Sequence, residues 1–263
     1  MPEFTAKDVK ALRDSTGAGM MDCKKALTDA DGDVEAAKKI LREKGLNKAA
    51  SRSDRESNEG AVAVASDGSR AALVMLKCET DFSAKSDDFI AVTQRLADAV
   101  LAGAADPAAE MASDLEDLTL TKKENISVGD VHLIEAAEGN ALDVYLHVQD
   151  GRGVNGVVVE GNGIDGDTLH QIALHVAFAK PSFLSRDEVS EEDIERERQA
   201  LLDVTKAEGK PEQAWDKIVD GRLKAWFGES VLLEQGLHGD KTSVADTIGS
   251  GTIPRFVQTY VGS

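Results

Sequence analysis

Several residue patterns in this chain could carry chemistry. Two stretches fit the spacing G-x-G-x-x-G, which in a dinucleotide site sets a helix N-terminus against a pyrophosphate. They are Gly161, Gly163 and Gly166 in VVVEGNGIDGDTLHQIA, and Gly151, Gly153 and Gly156 in DGRGVNG. The second lies between two runs with the spacing of antiparallel strands, where no helix begins. The first places Asp165 and Asp167 where phosphates would sit. About twenty residues on, where an acidic-tipped strand is required, stands the Pro-broken turn KPSFLSRDE. GLHGDKTS lacks the G-x-x-x-x-G-K spacing of a phosphate loop. His170 and His175 are five residues apart, off a common helix face, and no cysteine or carboxylate completes a metal set. Cys23 and Cys78 sit in apolar contexts without an activating base. No active site emerges and no cofactor is expected, which favours a binding or regulatory protein over an enzyme.

One stretch stands apart from these. CETDFSAKSDDF, residues 78–89, follows the apolar run RAALVMLKCE and is polar except for Phe82, in a chain with only 4% aromatic residues. Phe82 either folds back as a plug for the adjacent core, as most phenylalanines do, or is presented to a partner.

The elements that would position it read as α+β. Residues 5–45 form three short helices: Thr5 caps the first, with Val9 and Leu12 inward, and Gly45 ends the third. KAASRSDRESNEG lacks apolar periodicity and reads as a linker. Then come two copies of strand, turn, strand, loop, helix, one turning at Asp67-Gly68 and one at Asp150-Gly151. A helix, PAAEMASDLEDL, and a strand, ISVGDVHLIEAAEG, lie between the copies. After the second copy comes a helical hairpin, opened by Ser190 with Asp193 and broken at EGKP. Its inward stripe is Ile194 and Leu201, then Trp215, Ile218, Arg222 and Trp226. Each arm is about 17 residues, roughly 25 Å long. ESVLLEQ and TIPRFVQTYV read as closing strands. The expected domains are therefore 1–50, a linker 51–60, a first core unit 61–140, a second core unit 141–188 with 228–263, and an insertion 189–227.

The composition narrows the class. Asp and Glu number 48 against 30 Lys and Arg, a formal charge of −18, the wrong sign for displacing counterions from nucleic acid. Two distant cysteines fit a reducing compartment. MPEFTAKDVKALRD has neither the basic segment nor the apolar stretch of a signal peptide, and no run approaches a membrane span. A cytoplasmic protein that contacts neither nucleic acid nor membrane is expected.

LRDSTGAGMMDCKKAL at 12–27, ETDFSAKSDDF at 79–89, IALHVAFAKPSF at 172–183 and GKPEQAWDKIVDGRLKAWFGE at 209–229 closely resemble translation elongation factor Ts. The likeness runs from the first helix to about residue 230, and is to a bacterial type with a short C-terminus, without the terminal helical module of longer members. The resemblance implies a ubiquitin-associated-like three-helix domain, a duplicated core of antiparallel sheets with helices, and an inserted antiparallel coiled coil. It implies a guanine-nucleotide exchange factor that binds elongation factor Tu in its GDP-bound and nucleotide-free forms and catalyses no covalent change. A homodimer or a heterotetramer with the GTPase is the assembly it suggests. By that resemblance Thr80, Asp81, Phe82 and Ser83 form a loop that enters the GTPase near its Mg²⁺, with Asp81 and Phe82 as the wedge. Arg13, Met20, Met21 and Lys24 correspond to residues touching the GTPase domain, one methionine buried and one presented. Gly156 and His175 correspond to core residues facing the partner's other domains. The charged linker would leave the N-terminal helices independent, as a tether. The alternative is an adaptor or scaffold using the helical module and the coiled coil, which leaves Phe82 unexplained.

Overall fold

Thr5 opens the first helix, α1 (Ala6–Thr16), through a capping box. Its hydroxyl accepts from the Asp8 amide, and the Asp8 carboxylate accepts from the Thr5 amide. The computed structural model describes residues 4–50, 52 and 54–262, with nothing said of side chains 46–50; residues 51 and 53 of the expected linker lie outside the described residues. Two helices follow, α2 (Met20–Asp29) and α3 (Val34–Ala50). Leu12, Cys23, Leu27, Ala37 and Leu41 close a small core among the three.

The first sheet begins with β1 (Glu59–Ser66) and β2 (Arg70–Cys78), turning at Gly68 with φ 93°. A single helical turn, α4 (Asp81–Ala84), leads into α5 (Asp87–Ala102). The expected single helix PAAEMASDLEDL is two, α6 (Pro107–Glu110) and α7 (Ala112–Lys122), separated at Met111. Strand β3 (Ser127–Glu135) then returns beside β2. The second sheet is built the same way from β4 (Ala141–Gln149), β5 (Arg152–Asn162) and, after α8 (Gly166–Ala179), α9 (Glu191–Ala207), α10 (Trp215–Ser230) and α11 (Val244–Ile248), the last strand β6 (Thr252–Tyr260). Both sheets are antiparallel, in the orders β1-β2-β3 and β4-β5-β6. The repeat is thus longer than its sequence signal: each copy owns a third strand, and β3 belongs to the first copy instead of lying between the two.

The sheets pack face to face through Val62, Leu73, Met75 and Val158, joined by Leu146 and Val257. Helix α5 covers the outer face of the first sheet with Phe89 and Leu96. Helix α8 covers the second with Ile172 and Val176. The layers run helix, sheet, sheet, helix, and the central strands β2 and β5 are buried on both faces.

Four local expectations are corrected. Gly45 does not end α3, which continues to Ala50. A Cβ there would stand 2.2 Å from Leu120 Cδ2, so the glycine admits α7 instead of stopping its own helix. Arg42 adds ion pairs to Glu116 (2.8 Å) and Asp117 (3.1 Å) on α7, so the N-terminal helices are docked on the core and are not independent of it. ESVLLEQ is the end of α10 and a 3-10 turn at Leu232–Glu234, where the Glu234 amide bonds back to the Val231 carbonyl at 3.0 Å instead of to a neighbouring strand. In α10 the buried stripe is Val219, Leu223 and Phe227, one residue away from the tryptophan phase, while Trp226 is half-buried beside it. Helices α9 and α10 pack on each other, with ion pairs from Arg198 to Asp220 (2.8 Å) and from Arg222 to Glu208 (2.7 Å). Among the described residues, no helix is long and apolar enough to cross a membrane.

Candidate partner-binding site

Phe82 owes its position to a helix too short to hide it. Thr80 caps α4, its hydroxyl accepting from the Ser83 amide (3.3 Å), and Ser86 begins α5 two residues after α4 ends. Successive residues of one turn point about 100° apart. Ser83 and Ala84 are buried against the core, which turns Asp81 and Phe82 outward. Phe82 is 85% exposed; the plug reading fails. Leaving a phenylalanine in water forgoes about 1.5–3 kcal/mol of burial, and the surrounding fold supplies no local reason for that.

The other residues of the segment are engaged internally. Asp81 accepts from Lys85 Nζ (2.8 Å), and Lys85 also reaches Asp150 at 3.1 Å. The hydrogen bond from Lys85 holds the Asp81 carboxyl below the usual carboxylate range. The Thr80 and Ser83 hydroxyls both donate to Glu124 Oε1, at 2.7 and 2.6 Å. Ser83, expected in the loop's contact set, is therefore an internal strut. The Cys78 thiol donates to the Thr80 carbonyl at 3.2 Å, and burial pushes its pKa up to about 12, leaving a protonated, unreactive sulfur.

At the N-terminal helices Arg13 and Lys24 are exposed. Met20 and Met21 are 46% and 76% exposed, so neither is buried as one was expected to be. The reason is length: α2 starts at Met20, while the small core is reached only by Cys23, Ala26 and Leu27. Two adjacent apolar side chains at a helix start are thus left to solvent.

Gly156 and His175 do not lie on the surface. A Cβ on Gly156 would sit 2.3 Å from Leu73 Cδ1 and 2.9 Å from Val62 Cγ1, so the glycine lets β5 approach the other sheet. His175 is buried on α8, its Nε2 paired with Gln235 Oε1 (2.9 Å) and its Nδ1 accepting from the His238 amide (3.1 Å). Burial, then the nearby His238, lowers its pKa despite the Gln235 hydrogen bond, and the ring anchors the chain after α10.

One exposed aromatic escapes the motif reading. Phe178, in the last turn of α8, is 86% exposed. It lies off the buried stripe Leu169, Ile172, Ala173 and Val176, and helical periodicity would have flagged it. It edges a shallow depression with Glu59, His147, Arg152, Lys180 and Tyr260. The Lys85–Asp150 ion pair joins this side of the second sheet to α4.

The family model described as Elongation factor TS matches residues 79–263, beginning at the α4 segment. Over 100% of both chains the protein is 41% identical to elongation factor Ts of Kineococcus radiotolerans. It is 44% identical to elongation factor Ts of Cutibacterium acnes, over 98% of this chain and 99% of the relative. The chain belongs to the elongation factor Ts family. Elongation factor Ts of the more distant Deinococcus radiodurans is 38% identical over 98% of this chain and 99% of its own length. The relatives' coverage takes in the N-terminal helices that precede the family-model match, so Met20, Met21 and Phe82 all fall within the elongation factor Ts likeness.

Proposed function

We propose that this chain is a guanine-nucleotide exchange factor that binds elongation factor Tu, in its GDP-bound and nucleotide-free forms, and promotes GDP release by inserting Phe82 near the partner's Mg²⁺. The observation that carries this reading is a phenylalanine held out of the core by a capped, cross-braced turn in a member of the elongation factor Ts family. Mg²⁺ demands near-octahedral geometry and bridges nucleotide to protein, so a small displacement of the helices around it weakens nucleotide binding. Burying Phe82 in the partner would contribute about 1.5–3 kcal/mol towards that displacement. The effect is reciprocal: nucleotide weakens the factor's grip by the factor with which it is itself weakened. The chain itself makes and breaks no covalent bond, and the exchange takes place in the cytoplasm without contact to nucleic acid.

The flanking grip falls to the exposed Met20, Met21, Arg13 and Lys24. The three N-terminal helices are read as ubiquitin-associated-like and the α9–α10 pair as an antiparallel coiled coil. Elongation factor Tu loaded with a fluorescent GDP analogue tests the proposal. Addition of this protein should accelerate release saturably; unchanged release would leave the scaffold reading standing.

A further inference from the structure

We infer that Glu124 is the positioning residue of the Phe82 turn: its carboxylate, reaching across from the end of α7, sets the direction in which Phe82 is presented. The inference rests on the exchange reading above. A single carboxylate takes four hydrogen bonds from the segment. Oε2 accepts from the amides of Glu79 and Thr80, each at 3.1 Å, and Oε1 accepts from the hydroxyls of Thr80 (2.7 Å) and Ser83 (2.6 Å). The contact is returned, because the Glu79 carboxylate accepts from the Asn125 amide at 2.7 Å. Two chain segments more than forty residues apart are thus locked to each other at both ends.

The Thr80 cap, the buried Ala84 and the Lys85–Asp150 pair also hold α4, but Glu124 is the group that gathers the amides and hydroxyls of the segment on one side chain. A helix of four residues leaves most of its amides and carbonyls without intrahelical partners, and such a turn is not stable alone. Asp81 is occupied by Lys85 and does not brace the turn against α7. The brace has a backbone cost of its own: Lys123 ends α7 in the left-handed region, φ 59°, unfavourable for a lysine, and the chain reversal there brings Glu124 back to α4. Burial disfavours the Glu124 carboxylate, but the hydrogen bonds from Ser83, Thr80 and Glu79 outweigh that and hold its pKa below the usual range. A side chain ordered before docking loses less freedom on binding, so the carboxylate raises exchange without touching the partner.

The test uses the full chain with Glu124 changed to Ala, Gln or Asp, beside Phe82→Ala, against elongation factor Tu loaded with fluorescent GDP. Gln can reproduce the contacts, its carbonyl towards the two amides and its NH₂ towards the two hydroxyls, which can turn to accept. Asp keeps the charge but falls one methylene short. Glu124→Ala and Glu124→Asp should slow stimulated GDP release about tenfold, with Glu124→Gln within about threefold of the unaltered chain. Amide hydrogen exchange over residues 79–85 should quicken in the Ala and Asp chains only. If Glu124→Ala fails to fold, the Gln and Asp chains decide: equal losses, or none, overturn the inference. Wild-type release by Glu124→Ala beside a defective Phe82→Ala overturns the inference and leaves the exchange reading intact. Wild-type release by Phe82→Ala strikes the reading itself.

Discussion

Glu160 shows how strongly single carboxylates organise this acidic chain. Nearly wholly buried on β5, it accepts from the Ala137 amide (2.8 Å), Asn140 Nδ2 (2.6 Å) and Arg255 Nε (2.6 Å), tying the β3–β4 connection to β6. Burial alone would raise its pKa; the donors on Ala137, Asn140 and Arg255 more than offset this and hold it below the usual carboxylate range. The native pKa is thus below the unfolded one, so the stabilisation is full above about pH 4.5 and is lost as pH falls through the lowered native value. Glu160→Gln should cost about 2 kcal/mol at neutral pH, and the gap in melting temperature from the unaltered chain should narrow on acidification. Calorimetry across that range checks it, and a gap that is constant with pH would contradict the assignment. At this scale the sequence is readable where an oddity is local. An aromatic among polar residues marked Phe82 as one of two alternatives, and periodicity could have marked Phe178. It is not readable where a partner comes from afar: Ser83 looks like a loop serine until Glu124 arrives, and Gly156 looks like a motif glycine until Leu73 and Val62 are packed on it.

Among the elements, α9 and α10 have a base and an outer part with different duties. Val189, Leu223 and Phe227 are buried with Val231, and Arg186 stacks on the Phe227 ring at 4.2 Å, so the base is part of the body. Excision of all of 189–227 would strip that cluster. A cut further out, joining Arg198 to Asp220, whose side chains meet in an ion pair (2.8 Å), through a short Gly/Ser loop, removes mainly exposed surface. That shortened chain should unfold cooperatively with a melting temperature within about 5 °C of the full one; loss of a cooperative transition would mean the outer arms belong to the core. The capping signals at Thr5 and Ser190 and the Asp-Gly turns placed these elements well, because their chemistry is local. The phase of the α10 stripe was misread because its tryptophans outweigh in hydrophobicity the Val219, Leu223 and Phe227 that pack, and because the neighbour that selects the phase is α9.

For the whole molecule, the docking of α3 on α7 matters most. The same helix α7 receives Arg42 on its side and carries Glu124 just beyond its end, so the exposed methionines and Phe82 are held on one framework and do not meet a partner as tethered pieces. No composition or periodicity reports that contact, which depends on Gly45 standing opposite Leu120. Met20→Ala with Met21→Ala should weaken binding to nucleotide-free elongation factor Tu about tenfold with no change in melting temperature; unaltered affinity by calorimetry would move the flanking grip elsewhere. The central claim is that Phe82 is held out for the GTPase. The most direct measurement is stopped-flow release of fluorescent GDP from elongation factor Tu at saturating Phe82→Ala, paired with that chain's melting temperature. The account predicts release slowed about 10- to 100-fold, with the melting temperature within about 2 °C of the unaltered chain. Release at the unaltered rate would contradict it, as would a core-sized loss of stability.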